Sequence, residues 1–155
     1  MDQQVPLFSP ATANTIKTRI QKVLELACES SIATVILGAI GVSPPTDIPM
    51  TMLKVMFTGP NADGNEINPV AIRNLLVLRG FLTTSPTRQY VRCSAMTQDI
   101  VRIHNMKCGL LPSFVKFLIN NFPKVLCETR NHHDYGLIRV HALYFEKFFS
   151  EDPQS

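Results

Sequence analysis

Charge is what this sequence has least of. Lys, Arg, Asp and Glu make up 17% of its 155 residues, against about 25% in an ordinary soluble domain. A disordered chain, a coiled coil and a heavily solvated monomer all need more, so those classes fall away. Glycine is sparse too, at seven. None stands in a G-x-x-x-x-G-K-[ST] or G-x-G-x-x-G arrangement, which leaves nucleotide cradles without support. The longest apolar stretch, Ile32 to Val42, has 11 residues and ends at Pro44-Pro45, whereas a bilayer span needs about 20. The four cysteines, Cys28, Cys93, Cys108 and Cys127, include no close pair. No Asn-x-Ser/Thr acceptor occurs, and Met1-Asp2-Gln3-Gln4 lacks the basic n-region of a secretory signal. Free thiols in a reducing intracellular compartment are expected, the cytoplasm first and the nucleus second.

What the chain does have is apolar bulk. Hydrophobic residues make up 45%, with nine Phe and six Met. At this length one domain should bury about 70% of the unfolded chain's surface, with no need of disulfides or metal. Where so few charges cover the outside, copies of the chain or a partner are expected to cover some of it.

The charges are also unevenly placed. Residues 67–127 hold eight bases (Arg73, Arg79, Arg88, Arg92, Arg102, Lys107, Lys116, Lys124) and one acid, Asp99. The segments on either side, 1–66 and 128–155, are each net −2. No acid occurs from Ile67 to Gln98. A modest overall excess of +3 thus hides a strongly basic middle.

Local signals place the elements. Ser9-Pro10 offers an N-cap and an N1 proline to an amphipathic helix through Ile16, Ile20, Val23, Leu24 and Ala27. A break at Ser30-Ser31 precedes the apolar Ile32–Val42 helix, and Pro44-Pro45-Thr46-Asp47 is a loop. Met50 to Thr58 alternates and predicts a strand, followed by turn residues Gly59 to Asn65. Asn68-Pro69 and Gly80 bracket a helix over 69–79, apolar enough to be expected in the centre of the core. Phe81–Thr84 and Gln89–Ala95 flank Ser85-Pro86-Thr87-Arg88 as a hairpin. On its second strand Val91, Cys93 and Ala95 face one way and Arg88, Tyr90 and Arg92 the other. Ser94 or Thr97 caps a helix through Met106; another runs from Ser113 to Phe122 and closes at Pro123. Gly136 to Phe149 reads as a strand, with Ile138, Val140, Ala142 and Tyr144 on one face, running into a short helix. The expected fold is α+β: several helices packed around a small antiparallel sheet in one compact domain, ordered over about residues 9–150.

Two guanidiniums flanking an aromatic, as in Arg88-Tyr90-Arg92, combine phosphate contacts with a stacking surface. Arg73 and Arg79 precede them, Arg102 and Lys107 follow, and the seven residues together form the candidate nucleic-acid site. A solvated strand face is the plainer explanation, but such a face mixes signs, and this segment does not. Elsewhere the chemistry is thin. Cys108, Cys127, His132 and His133 fit no zinc spacing, and nothing orients a Cys–His pair for nucleophilic catalysis. Asn61, Asp63 and Asn65 alternate like calcium ligands, but Glu66 and Ile72 stand where the loop needs glycine and glutamate. No metal or other cofactor is expected, and no enzymatic activity.

A helix ending at Gly80 followed by a hairpin with a basic turn resembles the recognition helix and wing of a winged-helix DNA binder, over residues 67–96. That resemblance implies a regulator of duplex DNA, although Ile72, Leu75, Leu76, Val77 and Leu78 leave only Arg73, Asn74 and Arg79 to reach base edges. The leading expectation is a non-enzymatic, self-associating assembly protein, capsid-, nucleocapsid- or matrix-like in a viral setting. Its basic middle would hold an anionic polymer, RNA first, or an anionic membrane surface touched peripherally. A protein–protein adaptor is the third reading.

Overall fold

The computed structural model describes residues 9–60 and 64–150, with no side-chain description for 148–150. Seven helices and a three-stranded antiparallel sheet make up these residues, an α+β domain.

The first helix, α1 (Pro10–Glu29), starts as its cap residues direct: Ser9 Oγ accepts from the Thr12 amide at 3.1 Å. Ser30 then takes extended backbone, φ −155° and ψ 112°, and ends α1 while its own Oγ caps α2 (Ser31–Gly41). One serine thereby divides the amphipathic α1 from the apolar α2. α2 is largely apolar, and every residue from Ile36 to Gly41 is buried, which makes it the central helix of the core. Its glycines admit close neighbours. A Cβ on Gly38 would stand 2.5 Å from the Phe114 ring, and one on Gly41 2.8 Å from Val101 Cγ1.

A short strand, β1 (Ile48–Pro49), leads into α3 (Met50–Met56), where alternation had predicted a strand. Met50, Met52, Leu53, Met56 and Phe57 are the buried positions, a helical spacing, and the alternating set was apolar on both faces apart from Lys54. Gly59 and Gly64 hold positive φ, and Pro60 pairs with Glu66, so the loop closes on itself; Asn61 and Asp63 lie outside the described residues.

α4 (Pro69–Leu78) follows its sequence signals. Asn68 Oδ1 accepts from the amides of Val70 and Ala71, and Gly80 reverses the chain at φ 81°. It is not the core's centre: within it only Arg73 and Leu76 are buried, and Leu78 is 77% exposed. β2 (Thr83–Thr84) and β3 (Tyr90–Arg92) form the expected hairpin, with the Arg88 amide bonded to Ser85 O across the turn. β3 is the central strand, with Ile48 opposite Val91 and Thr83 opposite Arg92. Val91 and Cys93 point inward and Arg92 outward, as alternation requires; Arg88 lies in the turn and Ala95 opens the next helix.

α5 (Ala95–Lys107) is capped by Ser94, which accepts from the Thr97 amide. α6 (Leu111–Glu128) runs straight through Pro123, where the sequence predicted its end. Proline in a helix costs about 3 kcal/mol, but Val115, Leu118, Phe122 and Val125 form one buried stripe on both sides of it, while Pro123 itself is exposed. Burial of that stripe outweighs the missing hydrogen bond. α7 (His132–Ser150) replaces the predicted terminal strand. Its buried residues Ile138, His141 and Phe145 repeat every three or four positions, and Val140, expected on the same strand face as Ile138, is 48% exposed while Ile138 is buried. Asn131 Oδ1 caps this helix by accepting from the amides of His133 and Asp134.

Candidate functional site

The seven candidate residues separate into three places. Arg73, Arg88, Tyr90 and Arg92 gather at the hairpin, Arg79 sits at the far end of α4 against α1, and Arg102 and Lys107 lie on α5.

Most of them are occupied by the fold itself. Arg73 is 6% exposed. Its Nη1 donates to the Arg88 carbonyl at 3.0 Å, and its Nε and Nη2 donate to Asn74 Oδ1. This arginine pins the turn to α4, and the residue it pins, Arg88, holds a left-handed φ of 60°. Tyr90 Oη donates to Asp134 Oδ1 at 2.6 Å, and its ring meets His133 edge-on at 5.7 Å. The bond to Asp134, with burial, pushes the phenol's pKa up. Arg92 grips Asp47 through Nε at 2.9 Å and Nη2 at 2.8 Å. Arg79 holds Glu29 in a two-pronged pair, at 3.0 and 2.6 Å, which raises its pKa.

Arg102 does two things. Nη1 pairs with Asp99 at 3.1 Å, and Nη2 donates to Gly41 O at the end of α2. Beside it the buried Gln98 donates to the carbonyls of Ile40 and Ser43. Together they satisfy the acceptors that α2 leaves at its C-terminus, where its dipole favours a cation. Gln98 carried no periodicity or motif that would have singled it out; what could have drawn attention is a polar residue sharing a helix face with Ile100 and Val101.

Two of the three acids that pair with arginines of the basic segment come from outside it, Glu29 with Arg79 and Asp47 with Arg92. Segregation of charge along the chain is not segregation in space.

The less polar surface lies elsewhere. Between α1 and α5 runs a cleft of about 480 Å³ lined by Ala13, Ile16, Ile20, Met96, Ile100 and Ile103, with Asp99 and Lys107 at its edge. Met96, Ile103 and Met106 of α5 are all exposed. The other titratable groups do not assemble. Cys28, Cys108 and Cys127 are exposed, and burial pushes the Cys93 thiol up to about 12. His132 and His133 are exposed at the start of α7, and among the described residues no three His, Cys, Asp or Glu side chains come together as a metal site. His141 is fully buried; its Nε2 donates to the Asp47 carbonyl at 3.2 Å, and its Nδ1 meets no hydrogen-bond partner among the described residues. No described helix is long and apolar enough to cross a membrane.

α4 is followed directly by the β2–β3 hairpin with its 85–88 turn, the order of elements in which the sequence resembled a reader helix and wing. The exposed side chains of α4 are Ala71, Asn74 and Leu78, and Asn74 is engaged by Arg73, so the reader position offers little to base edges. No family model, no curated protein and no solved structure matches this chain.

Proposed function

We propose that this chain is a non-enzymatic association module that packs against copies of itself through the α1–α5 face, as an assembly subunit does. The observation that carries this reading is the apolar cleft between α1 and α5, extended by the exposed Met96, Ile103 and Met106. An apolar strip of this kind on a chain with so little charge favours coverage by protein. The basic segment contributes a weaker, salt-sensitive attraction for anionic polymers such as single-stranded RNA, through exposed side chains including Arg88, Lys116 and Lys124.

Light scattering across a range of protein concentrations tests the first part. Oligomers that dissociate in Met96→Glu and Ile103→Glu variants support it; a monomer at every concentration overturns it. Adding RNA at low and physiological salt tests the second part, where complexes that dissolve as salt rises are expected and indifference at both salts refutes the RNA role. The order of α4 and the hairpin supports one further reading, a duplex-DNA binder that would use Arg88 in the 85–88 turn. Loss of duplex binding in Arg88→Ala, with a flatter salt dependence, would support that reading, and no binding by the native chain would dismiss it.

A further inference from the structure

The apolar face of α5 carries a symmetry that identifies what covers it. Ile103 lies at its middle, exposed, with Asp99 four residues before it and Lys107 four residues after it. At 1.5 Å of rise per residue each charge sits about 6 Å from Ile103 along the helix axis, one on either side. Ile100 and Met106 are likewise spaced three residues before and after, one lining the cleft and the other exposed. Read from either end, the strip presents a charge, apolar side chains and the opposite charge. Asp99 is the one acid among the eight bases of residues 67–127; its Oδ1 holds Arg102 of the same helix at 3.1 Å, and with 62% of the side chain exposed it still presents charge to a neighbour.

A two-fold axis turns residue i of one copy toward residue j of the other, and j toward i. An axis through Ile103, perpendicular to α5, sets two copies of the helix antiparallel, with Ile103 against Ile103. It also sets Asp99 of each copy beside Lys107 of the other, making two equivalent ion pairs that flank an apolar centre. Around Leu143, the most exposed of the large apolar side chains described on α7, the residues four before and four after are Arg139 and Lys147, which carry the same sign.

Building on the self-association reading above, we propose that the occupant of the α1–α5 face is a second copy of this chain, docked α5 to α5 antiparallel about a two-fold axis at Ile103. The pairing of Asp99 with Lys107 sets the register, and the cleft wall from α1 shields it from solvent.

The test is a charge-reversal set read by sedimentation equilibrium. Asp99→Lys gives a chain with two cations at these positions, and Lys107→Asp a chain with two anions. Each alone faces like charge across the axis, so its dimer should weaken by about tenfold or more. Mixed one to one, the two variants should recover a heterodimer, because every pairing across the axis is then opposite in sign. The double variant Asp99→Lys/Lys107→Asp should recover the homodimer by the same logic. A misfolded variant would not be rescued by mixing, so recovery also reports on folding. A native chain that dimerises unaffected by either single reversal overturns the α5 register and leaves self-association standing. Loss in both variants without recovery on mixing, while each keeps the native chain's circular dichroism and melting transition, overturns the antiparallel pairing. A native chain that stays monomeric overturns both readings.

Discussion

Arg73 shows how a cation can belong to the fold. Its guanidinium reaches the Arg88 carbonyl and Asn74, and it is nearly buried. Arg73→Met keeps the aliphatic stem and removes the donors, leaving Arg88 O without its partner. Urea unfolding should show a loss of roughly 1.5–3 kcal/mol, the range for a hydrogen bond from a charged group. His141 gives a pH signature. Burial lowers its pKa from 6.5 to about 4, so the folded protein keeps it neutral while the unfolded chain takes up its proton below 6.5. Stability is therefore complete above pH 6.5 and falls as pH drops from there toward 4, by a total on the order of 3 kcal/mol. His141→Gln, which keeps a donor for Asp47, should remove that dependence between pH 6.5 and 4. A variant as acid-sensitive as the native chain in that window would show that another group is responsible.

Among the elements, α2 and α6 carry the sharpest expectations. A methyl at Gly41 meets Val101, whose branched side chain is held stiffly at χ1, whereas one at Gly38 meets the outer edge of the half-buried Phe114 ring. Gly41→Ala should lower stability by about 1–3 kcal/mol, and Gly38→Ala by less, since its better helix propensity returns up to about 1 kcal/mol. Thermal unfolding of the pair side by side checks the order. Pro123→Ala restores an amide within α6 and should stabilise by about 1–3 kcal/mol.

The legible elements were those with local chemistry at their ends. Ser9, Ser30, Asn68, Ser94 and Gly80 announced α1, α2, α4 and α5, and the hairpin was announced by Pro86 between two strand-like runs. The strand expected at 50–58 and the one expected near 138–144 failed for a shared reason. Both segments are apolar on more than one face, so a period of two and a period of 3.6 fit equally until burial decides. Pro123 misled because a proline's local cost is visible in sequence and the tertiary burial that outweighs it is not. The candidate site was legible in composition but not in arrangement: eight bases in one segment could be counted, while Glu29 and Asp47 reach two of them, Arg79 and Arg92, only across the fold.

At the scale of the whole molecule, the low charge of the sequence finds its counterpart in the exposed apolar strip on α5 and the cleft beside it. Self-association through that face should be strengthened by salts that favour burial, such as sulfate, while any RNA complex weakens with ionic strength. Opposite salt responses of the two assemblies, followed by scattering, separate one from the other.

The bonds from Gln98 and Arg102 to the end of α2 have a consequence for how α5 meets a partner. Both side chains leave from the turns of α5 that flank Asp99, and they fasten this helix to the most deeply buried helix of the domain. α5 cannot tilt or fray there without losing the bonds that Gln98 and Arg102 make to the carbonyls of Ile40, Ser43 and Gly41. The surface that the proposed dimer would use is therefore held rigid by the fold, and little conformational entropy would remain to be lost on docking. Cutting that anchorage, as in Gln98→Ala, should loosen a dimer without altering any residue that touches the partner.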